Sequence, residues 1–230
     1  MKFPNLYSII PPNSDLYPDI TPHTLKTLEL IRDPDTFKWY LIPMIIIVLY
    51  IFINEWSKEN KSVVLGAAAF WGADLFNEIW NGIFFHLTKT APVWGVPGND
   101  SGFIIFAGLN IEISIMFAVL GICAVKMLPK EKTKKIFRVN NRVFLAVFGA
   151  AAAVGVEIIL NLAGALTWEW PYWNAKFPYL IFLIGYLPFF TAAYFVHDMK
   201  STGKQILTVS SILSFNLILI IIFGFYLNWL

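Results

Sequence analysis

Residues 63–85 read VVLGAAAFWGADLFNEIWNGIFF. The run is longer than the ~18 apolar residues that mark a membrane-spanning helix. Its second half nevertheless carries Asp74, Asn77, Glu78 and Asn81. Length and apolarity predict a helix in lipid, and the acids and amides predict that this helix does more than anchor the chain.

Five further apolar stretches lie around it, at 39–56, 103–126, 143–166, 177–196 and 206–229. The first is short and interrupted by Pro43. The expected fold is all-α, a polytopic membrane protein of about six transmembrane helices. The chain is 57% hydrophobic and 14% charged, against about 25% charged in soluble domains. A net charge of +2 gives no reason to expect nucleic acid as a partner. Cys123 is the only cysteine, so an intramolecular disulfide is excluded. Residues 1–38 are polar, contain prolines and show no apolar core segment of a cleavable signal peptide. They read as an N-terminal tail before a transmembrane domain at 39–230.

Basic residues orient the spans. The connection after the third holds Lys126, Lys130, Lys132, Lys134, Lys135, Arg138 and Arg142. Such enrichment marks the cytoplasmic side. Lys58 and Lys61, then Lys200 and Lys204, follow the first and fifth spans, whereas the alternate connections carry only Lys89 and Lys176. This alternation places both termini outside the cytoplasmic membrane, although Lys26, Arg32 and Lys38 near the first span count against it. In the tail, Thr21-Pro22 has the form of an N-cap followed by proline at the first helical position. Leu25, Leu28 and Ile31 follow at helical spacing, predicting a short interfacial helix over 22–31 on the outer membrane surface.

A shift of 79 residues aligns the chain with itself. Glu78-Ile79 meets Glu157-Ile158, Leu87-Thr88 meets Leu166-Thr167, Pro92 meets Pro171, and Trp94 meets Trp173. Phe103 with Phe182 and Ile105 with Ile184 extend the match. The expected arrangement is a tandem parallel repeat of two-helix hairpins, at about 63–126 and 143–198. Parallel repeats are related by an axis along the membrane normal. That axis would set Glu78 and Glu157 at one depth on opposite sides of a cavity.

Ionisable side chains inside a span cost about 2.5–3.5 kcal/mol on insertion scales. Asp74, Glu78, Glu112 and Glu157 fall within the expected spans, with no lysine or arginine at their depth. Asp74, Glu78 and Asn81 share one helix face, with Asn77 at its edge. Glu157 and Asn161 share another face, while Asn110 and Glu112 diverge, so at most one of them faces a common cavity squarely. Four acids without a basic partner cannot all be ionised in a low dielectric. Either some stay protonated or a bound cation neutralises them. The plainer alternative is that they hydrogen-bond the helices together. Gly149, Ala150–Ala153 and Gly155 predict close helix approach in the fourth span.

The two loops contain Trp94 and the run Trp168-Glu169-Trp170-Pro171-Tyr172-Trp173. They read as an interfacial aromatic belt, or as lids whose rings stabilise a cationic group. Pro97-Gly98 predicts a tight turn, and Asn99-Asp100-Ser101 matches a glycosylation sequon. No Asp-Asp-x-x-Asp, glycine-rich phosphate loop, His-Glu-x-x-His or Gly-x-Ser-x-Gly pattern occurs. His23, His86 and His197 are scattered. Neither a cofactor nor a metal is expected.

The segment Phe76-Asn77-Glu78-Ile79-Trp80-Asn81 and the two Pro-x-Trp loops resemble in kind carotenoid hydratases, heterodimer-type lycopene cyclases and membrane terpene cyclases. The resemblance covers spans two to five and implies isoprenoid chemistry without a cofactor. The leading expectation is therefore a membrane enzyme of lipid or isoprenoid metabolism, acting on an apolar ligand. Glu78 and Glu157 would exchange protons with it, oriented by Asp74, Asn81 and Asn161. Trp94 and Trp173 would shield a cationic intermediate, with Asn77, Asn110 and Glu112 completing the binding set. A proton- or cation-coupled transporter and a non-catalytic scaffold are the alternatives.

Overall fold

The structure, a computed structural model, describes residues 20–97 and 102–230. The sequon and Gly98 lie outside the described residues, as do residues 1–19. The helices are α1 (Pro22–Leu30), α2 (Leu41–Ser57), α3 (Lys61–Thr88), α4 (Ile111–Lys126), α5 (Asn141–Leu162), α6 (Leu187–His197) and α7 (Thr202–Leu219). A π-helical segment, Ile181–Tyr186, leads into α6, and another, Ile220–Tyr226, continues α7. Two small antiparallel hairpins occur: β1 (Ile104–Phe106) with β2 (Leu109–Asn110), and β3 (Lys135–Ile136) with β4 (Val139–Asn140).

The six apolar stretches all form helix, but their ends differ from expectation in instructive ways. Pro43 does not interrupt α2. It lies in the first turn, where a helix needs no amide donor. The third stretch begins its helix eight residues late, at Ile111. Asn110 caps it, accepting from the Ile113 amide at 2.8 Å, and residues 104–110 form a hairpin instead. α5 stops at Leu162 rather than 166, because Gly164 takes φ +74° and the Ala165 amide bonds back to the Leu160 carbonyl. This left-handed glycine stop is a common helix ending.

The fifth helix is broken by Pro188. Its ring nitrogen cannot donate to the Ile184 carbonyl one turn back. The chain there widens to π geometry, and the Leu187 amide bonds to the Phe182 carbonyl. The 79-residue match is not matched in local structure at this point: Ile105 lies in β1, whereas Ile184 lies in the π turn.

α3 is the central helix and packs against α4, α6 and α7, while α5 rests mainly on α6 and its π turn. The small-residue run of α5 allows close approach on one side only: a Cβ at Gly149 would collide with the Phe190 ring of α6. Ala151, Ala152 and Gly155 face outward, and only Ala150 is fully buried. Outward faces are strongly apolar: α2 exposes Ile46, Ile47, Tyr50 and Ile53, and α7 exposes Leu207, Leu217 and Ile218. Apolar surface of this extent marks contact with lipid or a partner. Among the described residues, α5 and the helical stretch Thr202–Tyr226 are the two segments long and apolar enough to cross a membrane by length and composition.

The two ends of the bundle differ. At one end, Lys126 pairs with Glu55 at 2.5 Å, and Arg142 and Lys132 both pair with Asp198. Burial alone pushes the Asp198 carboxyl up, but the Arg142 and Lys132 contacts hold it below the usual carboxylate range. At the other end lie the loops after α3 and α5, the C-terminal residue and α1. Thr21 caps α1 as its sequence predicts, accepting from the Thr24 amide. α1 packs down on the loops: Leu28 joins Phe85, Val96 and Ile104, and Thr27 donates to the Val96 carbonyl. Thr21 and Thr24 hydroxyls donate to Glu169 at 2.7 and 2.9 Å, so α1 clasps both loops.

Candidate functional site

The chamber is built from the middle of α3 outward. Asp74, Asn77 and Glu78 are buried on the side of α3 that faces α5 and the π turn. Glu157 of α5 faces them across a cavity of about 60 Å³. Trp94 and Gly108 close it from the first loop region, Leu166 and Trp173 from the second, and Phe117 and Phe189 from α4 and α6. Glu78, Asp74 and Glu157 are near enough to repel one another as anions. Among the described residues, no lysine, arginine or histidine lines the chamber.

Each glutamate is held by an indole. Trp94 Nε1 donates to Glu78 Oε1 at 2.9 Å, and Trp168 Nε1 donates to Glu157 Oε1 at 3.1 Å. Tyr186, on the π turn, lies close enough to Glu157 for the two side chains to interact electrostatically. The partnership is thus asymmetric, because the residue aligned with Trp94 is Trp173. Trp173 instead stacks on Trp94, with centroids 5.2 Å apart. Three residues that line the chamber each carry a buried polar atom with no partner among the described residues: Asp74 Oδ2, Glu78 Oε2 and Trp173 Nε1.

The amides of α3 serve the walls. Asn77 Nδ2 donates to the Ile184 carbonyl at 2.9 Å, the acceptor that Pro188 leaves without its helical donor. Its Oδ1 accepts from Trp80 Nε1 at 2.9 Å. Asn81, wholly buried, pins the first loop: its Oδ1 accepts from the Val93 amide at 2.7 Å and its Nδ2 donates to the Trp94 carbonyl at 2.8 Å. The glycine at 108 is required by close approach. A Cβ there would lie 2.6 Å from Glu78 Oε2 and 2.7 Å from Trp94 Cδ1.

Three expected site residues lie elsewhere. Asn110 is spent on capping α4. Glu112 falls in the first turn of α4 and accepts hydrogen bonds from the Tyr40 hydroxyl and the Gly102 amide. Both miss the chamber because the helix starts at 111, which puts them at its end rather than along its shaft. Asn161 closes the end of α5, its Nδ2 donating to the Leu166 carbonyl at 2.9 Å. It lines a separate surface cleft with His23, Lys26 and Glu169. Two neighbours of Glu157, Tyr186 and Trp168, are not among the site residues expected from the sequence. The proline four residues after Ile184 was the available signal for the former.

The chamber has one opening direction among its lining residues. Only Met116 of α4 and Leu160 of α5 are exposed, at 40% and 36%. Both are apolar, so the exposed part of the described lining comes from α4 and α5. Toward the lysine-rich end the floor is aromatic: Phe70 contacts Phe117, Phe189 and Phe190 with centroids 6.2, 5.6 and 5.0 Å apart. Among the described residues, no group of three His, Cys, Asp or Glu side chains is arranged to hold a metal ion.

Residues 21–225 match a family model described as an uncharacterized membrane protein family. A protein of Archaeoglobus fulgidus, named there only as uncharacterized, is 48% identical over 205 residues, covering 89% of this chain and 97% of its own. A shorter one from the same organism is 57% identical over 53 residues, covering 23% of this chain and 95% of its own. No solved structure matches the chain.

Proposed function

From the premise that this chain belongs to that family of membrane proteins, we propose that it is an enzyme performing acid–base chemistry on a lipid or isoprenoid drawn from the bilayer. The observation that carries the proposal is the placement of three buried carboxylates around one chamber whose exposed rim is apolar and lateral. A carboxylic acid kept neutral by burial can donate a proton to an apolar substrate, and a neighbouring carboxylate can take one back.

Glu78 and Glu157 take those two roles. Asp74, one helical turn from Glu78, discourages simultaneous ionisation by repulsion. Trp94 and Trp173 form an aromatic wall suited to a developing positive charge. In this reading six helices cross the membrane, both termini lie outside, and Glu78 and Glu157 descend from a duplicated hairpin. The isoprenoid class follows from the resemblance to carotenoid hydratases and the cyclases.

A transporter needs a polar route to both surfaces. The aromatic floor of Phe70, Phe117, Phe189 and Phe190 favours the enzyme instead. The test is lipid analysis of cells lacking the gene, complemented by wild type, Glu78→Gln or Glu157→Gln at equal membrane abundance. Restored lipids with wild type alone support the assignment. Full complementation by both variants refutes it.

A further inference from the structure

We infer that the chamber binds the terminal hydroxyl of a lipid alcohol, with the tail leaving between α4 and α5. The inference deepens the enzymatic reading and rests on it for the chamber's role, but it concerns recognition alone.

The unpartnered atoms define the ligand's chemistry. Asp74 Oδ2 and Glu78 Oε2 are acceptors when ionised, and Trp173 Nε1 is a donor only. All three are buried and belong to residues that line one chamber. An unsatisfied buried group costs about 1–3 kcal/mol, so the occupant should supply both a donor and an acceptor. An ammonium head has three donors and no lone pair, and leaves the indole N–H without a partner. A carboxylate or phosphate head meets three carboxylates and no cation from the described lining. A hydrocarbon satisfies none of the three atoms. A hydroxyl donates one hydrogen bond to a carboxylate and accepts from the indole at the same time.

Size and shape agree. A cavity of about 60 Å³ holds a head group but no lipid chain, since pockets enclosing whole drug-sized ligands run to about 300–1,000 Å³. The tail must therefore lie outside, and among the described lining residues only Met116 of α4 and Leu160 of α5 are exposed, both of them apolar. Trp94 and Trp173, stacked beside the carboxylates, make the remaining contact with the first carbons of the chain.

The full chain in lipid nanodiscs would be titrated with tetradecan-1-ol, tetradecane and tetradecylammonium at equal mole fractions, reading the thermal unfolding midpoint. The alcohol should raise the midpoint saturably, and the other two should not. Trp173→Phe should weaken the apparent alcohol affinity about fivefold, the loss of one hydrogen bond. Leu160→Trp, at the exposed rim, should weaken it too and serves as the informative variant if Trp173→Phe does not fold. An equal response to tetradecane, a larger response to the ammonium, or an alcohol response untouched by Leu160→Trp would overturn the inference. Selective alcohol binding by a protein whose Glu78→Gln and Glu157→Gln variants restore the cellular lipids would sustain it while ending the catalytic reading.

Discussion

Asn77 Nδ2 stands 2.9 Å from the carbonyl oxygen of Ile184, across the interface between α3 and the π turn before α6. The bond exists because Pro188 has no amide hydrogen to offer that carbonyl. One proline thus opens the helix, and one asparagine on the neighbouring helix closes the account of backbone hydrogen bonds. The result presents Gly185 and Tyr186 to the chamber. π-helical turns of this kind are frequent at functional sites.

Asn77→Leu is therefore expected to destabilise the protein by about 1–3 kcal/mol, the cost of a buried carbonyl left unpaired. The same change made on a Pro188→Ala background should cost less, because the restored amide can reach Ile184. Thermal or denaturant unfolding of the four proteins in one detergent measures the coupling. Simple additivity would show that the asparagine and the proline act independently.

Gly108→Ala tests the tightness of the roof. The added methyl would sit 2.5 Å from Asn81 Nδ2 and 2.6 Å from Glu78 Oε2, well inside contact distance. Either the first loop lifts or Glu78 turns away. We expect overpacking destabilisation of about 1–3 kcal/mol together with loss of product in the complementation assay. Unchanged unfolding and unchanged lipids would mean that the roof is not held where the structure has it.

Much of this arrangement was legible in the sequence, for reasons that differ by residue. Asp74 and Glu78 announced themselves because an ionisable side chain within an apolar run is costly in lipid. Thr21-Pro22 gave the start of α1 because capping is local chemistry. Asn110 and Glu112 were misplaced because the apolar run continues through Ile104 and Ile105, and hydropathy alone does not separate a hairpin from a helix. Asn110 ahead of an acidic first turn was the overlooked start signal. Asn161 shares a helix face with Glu157, yet Gly164 ends the helix just beyond it. Trp168 was beyond reach, since only the fold of the loop after α5 returns it to Glu157, and Tyr186 had Pro188 as its one local signal.

Protonation matters at the lysine-rich end as well. Asp198 is buried enough to favour its neutral form, but Arg142 at 2.9 Å and Lys132 at 3.4 Å outweigh that and hold its acidity below the usual range. A depressed carboxylate contributes stability above its unfolded value and loses it as pH falls through the folded value. The unfolding midpoint of wild type should fall below about pH 4 more steeply than that of Asp198→Asn, with the two curves parallel at neutral pH. Identical acid limbs would remove the ion pair from the protein's stability.

Asp74, Glu78, Glu112 and Glu157 divide sharply once their surroundings are known, and this division is the most direct test of the chamber. Glu78 and Glu157 line it, whereas Glu112 accepts from Tyr40 and the Gly102 amide at the start of α4. If burial in lipid alone made these acids important, neutralising any of them would have the same effect. If the chamber is the site, Glu112→Gln should restore cellular lipids as wild type does. Its cost should be confined to stability, about 1 kcal/mol for the weakened bonds at the helix start. Glu78→Gln and Glu157→Gln should show the reverse, with little loss of stability and no product. Gln keeps a carbonyl that can accept from Trp94 or Trp168, so the indoles stay in place while the exchangeable proton is gone. Lipid profiles and unfolding midpoints from the same three membrane preparations decide between these patterns. An inactive Glu112→Gln protein of normal stability would move the chemistry away from α3 and α5.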